Sequence, residues 1–256
     1  MIVSLFTILL ASLGVALPAM ADSFTLNAGN NTHTTSVSSG NLAASAQFTL
    51  NTGTGELTLV LTNTSGADVL APADVLTALF FGVTGNTALT PVSAVLSGGS
   101  TVFFGANGGG NVGGEWAYGN SLAGAPGGLN DGISSAGLGT LFGQANFNGS
   151  NLDGSTALQG INYGILSAGD NTANGNPSVT GNFPLIKDQV TFTLSGAGSN
   201  LSITGVAFQY GGSLTDTCIG DCLPPQLAPE PSSVLLLGSG LAGLAFLKRK
   251  RASPKK

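Results

Sequence analysis

Two stretches of this chain alternate apolar and polar side chains across a glycine turn. Phe48 and Leu50 alternate with Gln47, Thr49 and Asn51. Thr52-Gly53-Thr54-Gly55 follows, and then Leu57, Leu59 and Leu61 alternate with Thr58, Val60 and Thr62. A period of two puts alternate side chains on opposite faces of a strand, so this pattern on both sides of a short turn predicts a hairpin. The same grammar recurs as Val190, Phe192 and Leu194, then Gly196-Ala197-Gly198, then Leu201 and Ile203, with Val206, Phe208 and Tyr210 after a Gly205 break. Leu79-Phe80-Phe81, Val92 to Leu96 and Val102-Phe103-Phe104 add shorter runs dense in strand formers. Outward threonines and Gly/Asn/Ser connections fit an all-β fold, an antiparallel β-sandwich of jelly-roll type. No stretch of the body carries a long capped helical period; Ala71 to Leu79 has room for one or two turns.

Charge then removes whole classes of function. Lys, Arg, Asp and Glu supply 7% of the 256 residues, against about 25% in an ordinary soluble domain. A coiled coil or a charge-driven disordered tail needs far more. A pI near 4.5 and no basic stripe exclude nucleic acid as a partner. Two cysteines cannot build a disulfide miniprotein. Between Asp22 and Ala228 the only cation is Lys187, facing eleven acids, which directs the body towards neutral polymers or cations. Its middle, residues 105–114, 121–143 and 146–182, is dense in Gly, Asn and Ser. Loops that long in a compact domain are functional or mobile. Trp116, Tyr118, Phe142, Phe147 and Tyr163 punctuate them, so the region is expected to pack onto the sheets.

The ends carry processing signals. Ile2 to Val15 is almost wholly apolar, and Ala19-Met20-Ala21 follows a Pro18 break. That is the form of a secretory signal peptide, residues 1–21, cut after Ala21, although no Lys or Arg precedes the apolar run. A retained anchor helix or a buried strand is the plainer alternative. The body is expected over 22–217, with a Cys/Pro linker over 218–228. Pro229-Glu230-Pro231 then precedes an uncharged run over 234–247 and the cations Lys248, Arg249, Lys250 and Arg251. As a helix that run is roughly 21 Å long, short of a bilayer core of ~30 Å. Its cations hold the following end in the cytoplasm, so everything before Pro229 faces outward.

A Pro-Glu-Pro tripeptide, a short apolar helix and a basic cluster in this order resemble the sorting signal of PEP-CTERM proteins. The resemblance covers residues 229–256, with a transmembrane helix about 234–247 and a basic tail over 248–256. It implies an exported protein that an exosortase, an integral-membrane cysteine transpeptidase, recognises and cleaves near the tripeptide. It also implies association with exopolysaccharide. Gly114 to Tyr118 and Gly132 to Gly139 are similar to segments of one group of exosortase-dependent surface proteins, which implies no activity.

The body offers little for catalysis. A Ser-His-Asp triad would have to use His33, the one histidine, which lies among Asn and Thr with no clustered partner. One His and a Cys pair are too few for zinc. Cys218 and Cys222 lie four apart around Gly220, so in an oxidising compartment they are expected to close a small structural disulfide. Glu115 beside Trp116 and Tyr118 is an acid among aromatics, the candidate glycan contact; a hydrolase would need a second carboxylate about 5–10 Å away. Asn151, Asp153, Asp170 and Asn171 have oxygen ligands for Ca²⁺ but no EF-hand spacing, and turn formation explains them first. The sequence therefore predicts no catalytic residues, metal or cofactor. It reads as a non-enzymatic exported protein, held transiently in the inner membrane by its C-terminal helix and then placed at the cell surface or in the extracellular matrix. A carbohydrate-binding module or a secreted glycan-active hydrolase is the alternative.

Overall fold

The structure, a computed structural model, describes residues 21–34, 39–85, 87–142, 145–152 and 158–222. Fourteen strands follow one another there. The first seven are β1 (Ala21–Thr34), β2 (Ser39–Asn51), β3 (Glu56–Asn63), β4 (Leu76–Thr84), β5 (Thr87–Leu96), β6 (Thr101–Phe103) and β7 (Ala117–Gly119). Then come β8 (Asp131–Ser134), β9 (Ala145–Asn146), β10 (Ile165–Leu166), β11 (Leu185–Lys187), β12 (Gln189–Ala197), β13 (Ser202–Tyr210) and β14 (Cys218–Gly220). Helix is confined, among the described residues, to short 3-10 turns. One of them, Pro72–Asp74, stands where Ala71 to Leu79 had room for a helix. The Asp74 carboxylate accepts from the Ala71 N–H at 3.1 Å, and the chain then enters β4.

Five strands form one sheet in the order β1-β2-β3-β12-β5, all antiparallel. The predicted β2–β3 hairpin is present, with Leu50 opposite Leu57 and Phe48 opposite Leu59. Gly55 closes it at φ 68°, donating its N–H to the Asn51 carbonyl at 2.9 Å. Because this sheet buries one face only, the period-two pattern survives intact. Phe24, Phe48, Leu59, Phe192 and Ala94 form one inward row, and Ser23, Thr49, Thr58, Thr193 and Ser93 form the neighbouring outward row.

The remaining nine strands form a mixed sheet. Its path runs β6-β11-β10-β4-β8-β7-β9, with β13 on β4 and β14 on β13; β10 and β11 run parallel. One expectation fails here. β12 and β13 are not a hairpin, because β12 pairs with β3 and β5 while β13 pairs with β4 and β14. The turn over 198–201, closed by the Leu201 N–H donating to the Gly198 carbonyl at 3.0 Å, hands the chain from one sheet to the other. The five-stranded sheet is a β1-β2-β3 meander joined by β12 beside β3.

One apolar cluster draws on both sheets, and the Phe48 and Phe81 rings meet across it at 5.6 Å. The buried Tyr210 hydroxyl on β13 donates to the Ala43 carbonyl of β2 at 2.9 Å, adding a polar tie. A second cluster lies on the far side of the nine-stranded sheet. There Ala78, Phe80 and Ala207 are covered by Leu129, Leu138 and Phe142, with the Phe80 and Phe142 rings 5.8 Å apart. β4 is therefore buried on both faces, which is why it reads as Leu79-Phe80-Phe81 with no alternation. The expected packing of the glycine-dense middle is observed: Trp116, Tyr118, Phe142, Phe147 and Tyr163 are all buried. The body also extends beyond the expected boundary at 217. Cys218–Gly220 is strand β14, and Cys222 accepts from the Gly127 N–H at 3.0 Å, so residues 218–222 belong to the sheet rather than to a linker.

Candidate functional site

The side chains that can meet a ligand converge where β5 of the first sheet faces the loops around β7. A cleft of about 390 Å³ opens there. Pro91, Leu122 and Phe142 supply apolar wall, while Thr90, Asn120 and Tyr118 supply polar atoms. The pairing of Tyr118 with Ile133 and of Gly119 with Gly132 sets β7 against β8, bringing the Tyr118 ring close to Asp131. The phenol donates a short hydrogen bond to the Asp131 carboxylate. Burial pushes the Asp131 carboxyl above its ordinary range, and the Tyr118 hydrogen bond pulls it back only in part. Burial, then Asp131, push the phenol well above its ordinary 10.0, while Asn120 works in the opposite direction. The phenol therefore stays protonated and acts as a donor. Apolar walls with a few fixed donors and acceptors make a binding geometry for a small uncharged polar ring.

The three residues singled out as glycan contacts divide. Trp116 is fully buried, its ring 5.0 Å from Phe192 in an edge-on contact, and its indole nitrogen has no hydrogen-bond partner among the described residues. Glu115 is only 4% exposed, and its carboxylate accepts the Leu152 N–H. An exposed sugar platform of Trp116 and Tyr118 flanked by Glu115 is thus corrected. The acid fastens the loop over 148–152, the indole fills the core, and of the three only Tyr118 lines the cleft. The glycines before Glu115 serve the same fastening. A Cβ on Gly114 would stand 2.0 Å from the Ser150 carbonyl oxygen.

Cys218 and Cys222 are joined by a disulfide. Asp221 inside that ring accepts the Val206 N–H at 3.0 Å, so the clip holds β14 against β13. Of the candidate calcium ligands, Asp170 ties its loop to another segment by accepting from the Val69 N–H at 2.6 Å, and Asn171 closes a local turn by accepting from the Ala173 N–H at 3.2 Å. Asp153 lies outside the described residues. Among the described residues no group of three or more His, Cys, Asp or Glu is placed to hold a metal ion. His33 pairs with Gly40 along β1, and Ala21 opens that strand. Ala19, Pro229 to Pro231 and Lys248 to Arg251 lie outside the described residues. No helix among the described residues is long and apolar enough to cross a membrane.

Asp131 and Asn120 were missed by sequence reasoning. Asn130-Asp131-Gly132 reads as an ordinary turn, and only the register of β7 on β8 shows that Asp131 faces a phenol. Against known proteins, residues 227–250 match the family model described as the PEP-CTERM protein-sorting motif. No curated protein and no solved structure matches the chain. The motif implies an exported protein sorted through the membrane and processed by an exosortase.

Proposed function

We propose that this chain is a non-enzymatic surface or matrix protein, delivered by its PEP-CTERM signal and associated with extracellular polysaccharide. The observation that carries the reading is the sorting motif at 227–250 behind a body with one cation and eleven acids. Such a body repels anionic partners and suits uncharged hydroxylated ones. In this reading the body is a two-sheet sandwich with an irregular outer layer. The leader ends at Ala21, so β1 loses only its first residue pair, Ala21 with Asn51. Pro229-Glu230-Pro231 is the exosortase recognition element, and its two prolines hold it extended for a protease groove. The 234–247 helix retains the protein at the membrane until it is cut, and Lys248 to Arg251 stop transfer.

Glu230→Ala tests the sorting reading, because the residue lies beyond the sheets. The variant should be exported and folded but left unprocessed. It should accumulate in the membrane fraction about 3 kDa heavier, the mass of 28 residues at this chain's average. Release of the variant at the parent's mass and rate would reduce the tail to a plain anchor.

A further inference from the structure

We propose that the cleft between Thr90 and Asn120 holds one sugar of a neutral polysaccharide, whose chain continues across the outward face of the five-stranded sheet. The inference rests on the association with polysaccharide proposed above and adds where it occurs and which class of polymer is taken. Two independent features meet at Thr90. One is the cleft itself, whose apolar wall of Pro91, Leu122 and Phe142 suits the non-polar face of a pyranose. Asn120 and Thr90 offer the donors and acceptors that sugar hydroxyls need, while the buried Tyr118 oxygen, its O–H already donating to Asp131, can only accept. Its volume of about 390 Å³ lies at the small end of the roughly 300–1,000 Å³ range of ligand pockets, enough for a short glycan segment and not for a buried chain.

The other feature is the outward, half-exposed sheet face beside it. Strand pairing sets Asn51, Glu56, Ser195 and Thr90 in one rank, and Ser23, Thr49, Thr58, Thr193 and Ser93 in the next. Within these two ranks Glu56 is the single charged residue, and the Thr54 hydroxyl already donates to it at 2.9 Å. Adjacent strands lie about 4.8 Å apart, so hydroxyls repeat across the face at a spacing an extended glycan can follow. Every one of these hydroxyls both donates and accepts, as sugar hydroxyls do. The first rank ends on Thr90, which is also part of the cleft wall. A bound chain therefore passes from the sheet face into the cleft without crossing a charged patch. An acidic polymer gains nothing here: these ranks hold no cation, and the body around them carries a net −10 between Asp22 and Ala228.

The test is native affinity electrophoresis of the mature exported chain in gels containing hydroxyethyl cellulose, dextran or alginate. The parent should be retarded by at least one neutral glucan and not by alginate. Asn120→Trp plugs the mouth of the cleft from an exposed position and should weaken retardation about tenfold. Thr90→Trp on the opposite wall replaces it if the first variant does not melt like the parent. Thr58→Lys with Thr193→Lys should weaken retardation about threefold. Undiminished retardation of a natively melting plug variant would overturn the cleft while leaving polysaccharide association standing. Retardation by alginate alone would overturn the neutral class. No retardation in any gel would remove the site together with the polysaccharide association, whereas processing of the Glu230→Ala variant reports on sorting independently.

Discussion

The five-stranded sheet and the nine-stranded sheet obey the same chemistry and were unequally visible in the sequence. The first has one wet face, so its strands alternate and register follows from the period: Leu50 finds Leu57 and Phe48 finds Leu59. The second is covered on both sides, by the first sheet through Phe81 and by loops through Phe80. Alternation vanishes where neither face meets water. The loops come close to it and to one another because glycine removes the Cβ, as at Gly132 of β8 under the Phe142 ring and at Gly114 under the Ser150 carbonyl. A glycine-dense stretch in a chain with this little charge is here a packing device.

The largest effects should come where the two regions meet. Phe192 belongs to the alternating row, yet its ring touches Trp116 at 5.0 Å and Phe147 at 5.2 Å, both from the loop layer. Phe192→Ala should cost about 3–5 kcal/mol in chemical denaturation, through lost transfer energy and a cavity that rigid neighbours cannot refill. Thr193→Ala, one residue along and facing outward, should stay within about 0.5 kcal/mol. Similar losses at both positions would mean that the outward face is not solvent-facing and that the alternation was misread.

A smaller effect separates the glycines of the loop layer from ordinary ones. Gly114→Ala places a Cβ 2.0 Å from one backbone oxygen and 2.4 Å from the Asn151 nitrogen, so backbone must move. A cost of about 1–3 kcal/mol is expected. Gly66→Ala meets nothing within 4 Å among the described residues and should be neutral or slightly stabilising through the unfolded state. Equal effects would show that the loop layer yields freely and carries no tight packing.

Legibility followed the same division. The β2–β3 hairpin, the strands β12 and β13, and the burial of the middle aromatics were all readable, since each rests on local pattern or on the need to bury rings. The pairing of β13 with β4 was not. Which sheet a strand joins depends on what covers its far side, and Val206 to Tyr210 is buried throughout. The site was half readable. Tyr118 stood out as an aromatic beside an acid, but the acid that meets it is Asp131, thirteen residues on, rather than Glu115. Sequence proximity suggested one partner, and strand register supplied another.

The subtlest contrast is in pH dependence, and its sign distinguishes the loop-covered region. Burial raises the carboxyls of both Asp131 and Asp170 above the ordinary 3.8. In that window the folded state holds more protons than the unfolded chain, so the contribution to stability is fully present below the unfolded value and is lost as pH rises through the raised one. Acidification from neutral towards the ordinary carboxyl range should therefore raise the melting temperature, the reverse of a protein held by depressed carboxylates. Relief of general repulsion in so acidic a body acts in the same direction, and a double variant isolates the two groups. Asp131→Asn with Asp170→Asn keeps an oxygen acceptor for the Tyr118 hydroxyl and the Val69 N–H while removing both titrations. Its melting temperature should start higher at neutral pH and rise less on acidification. A parent that loses stability steadily on acidification, or a double variant with the parent's slope, would show that these carboxyls are wetter than their packing indicates and that the loop layer admits water around them.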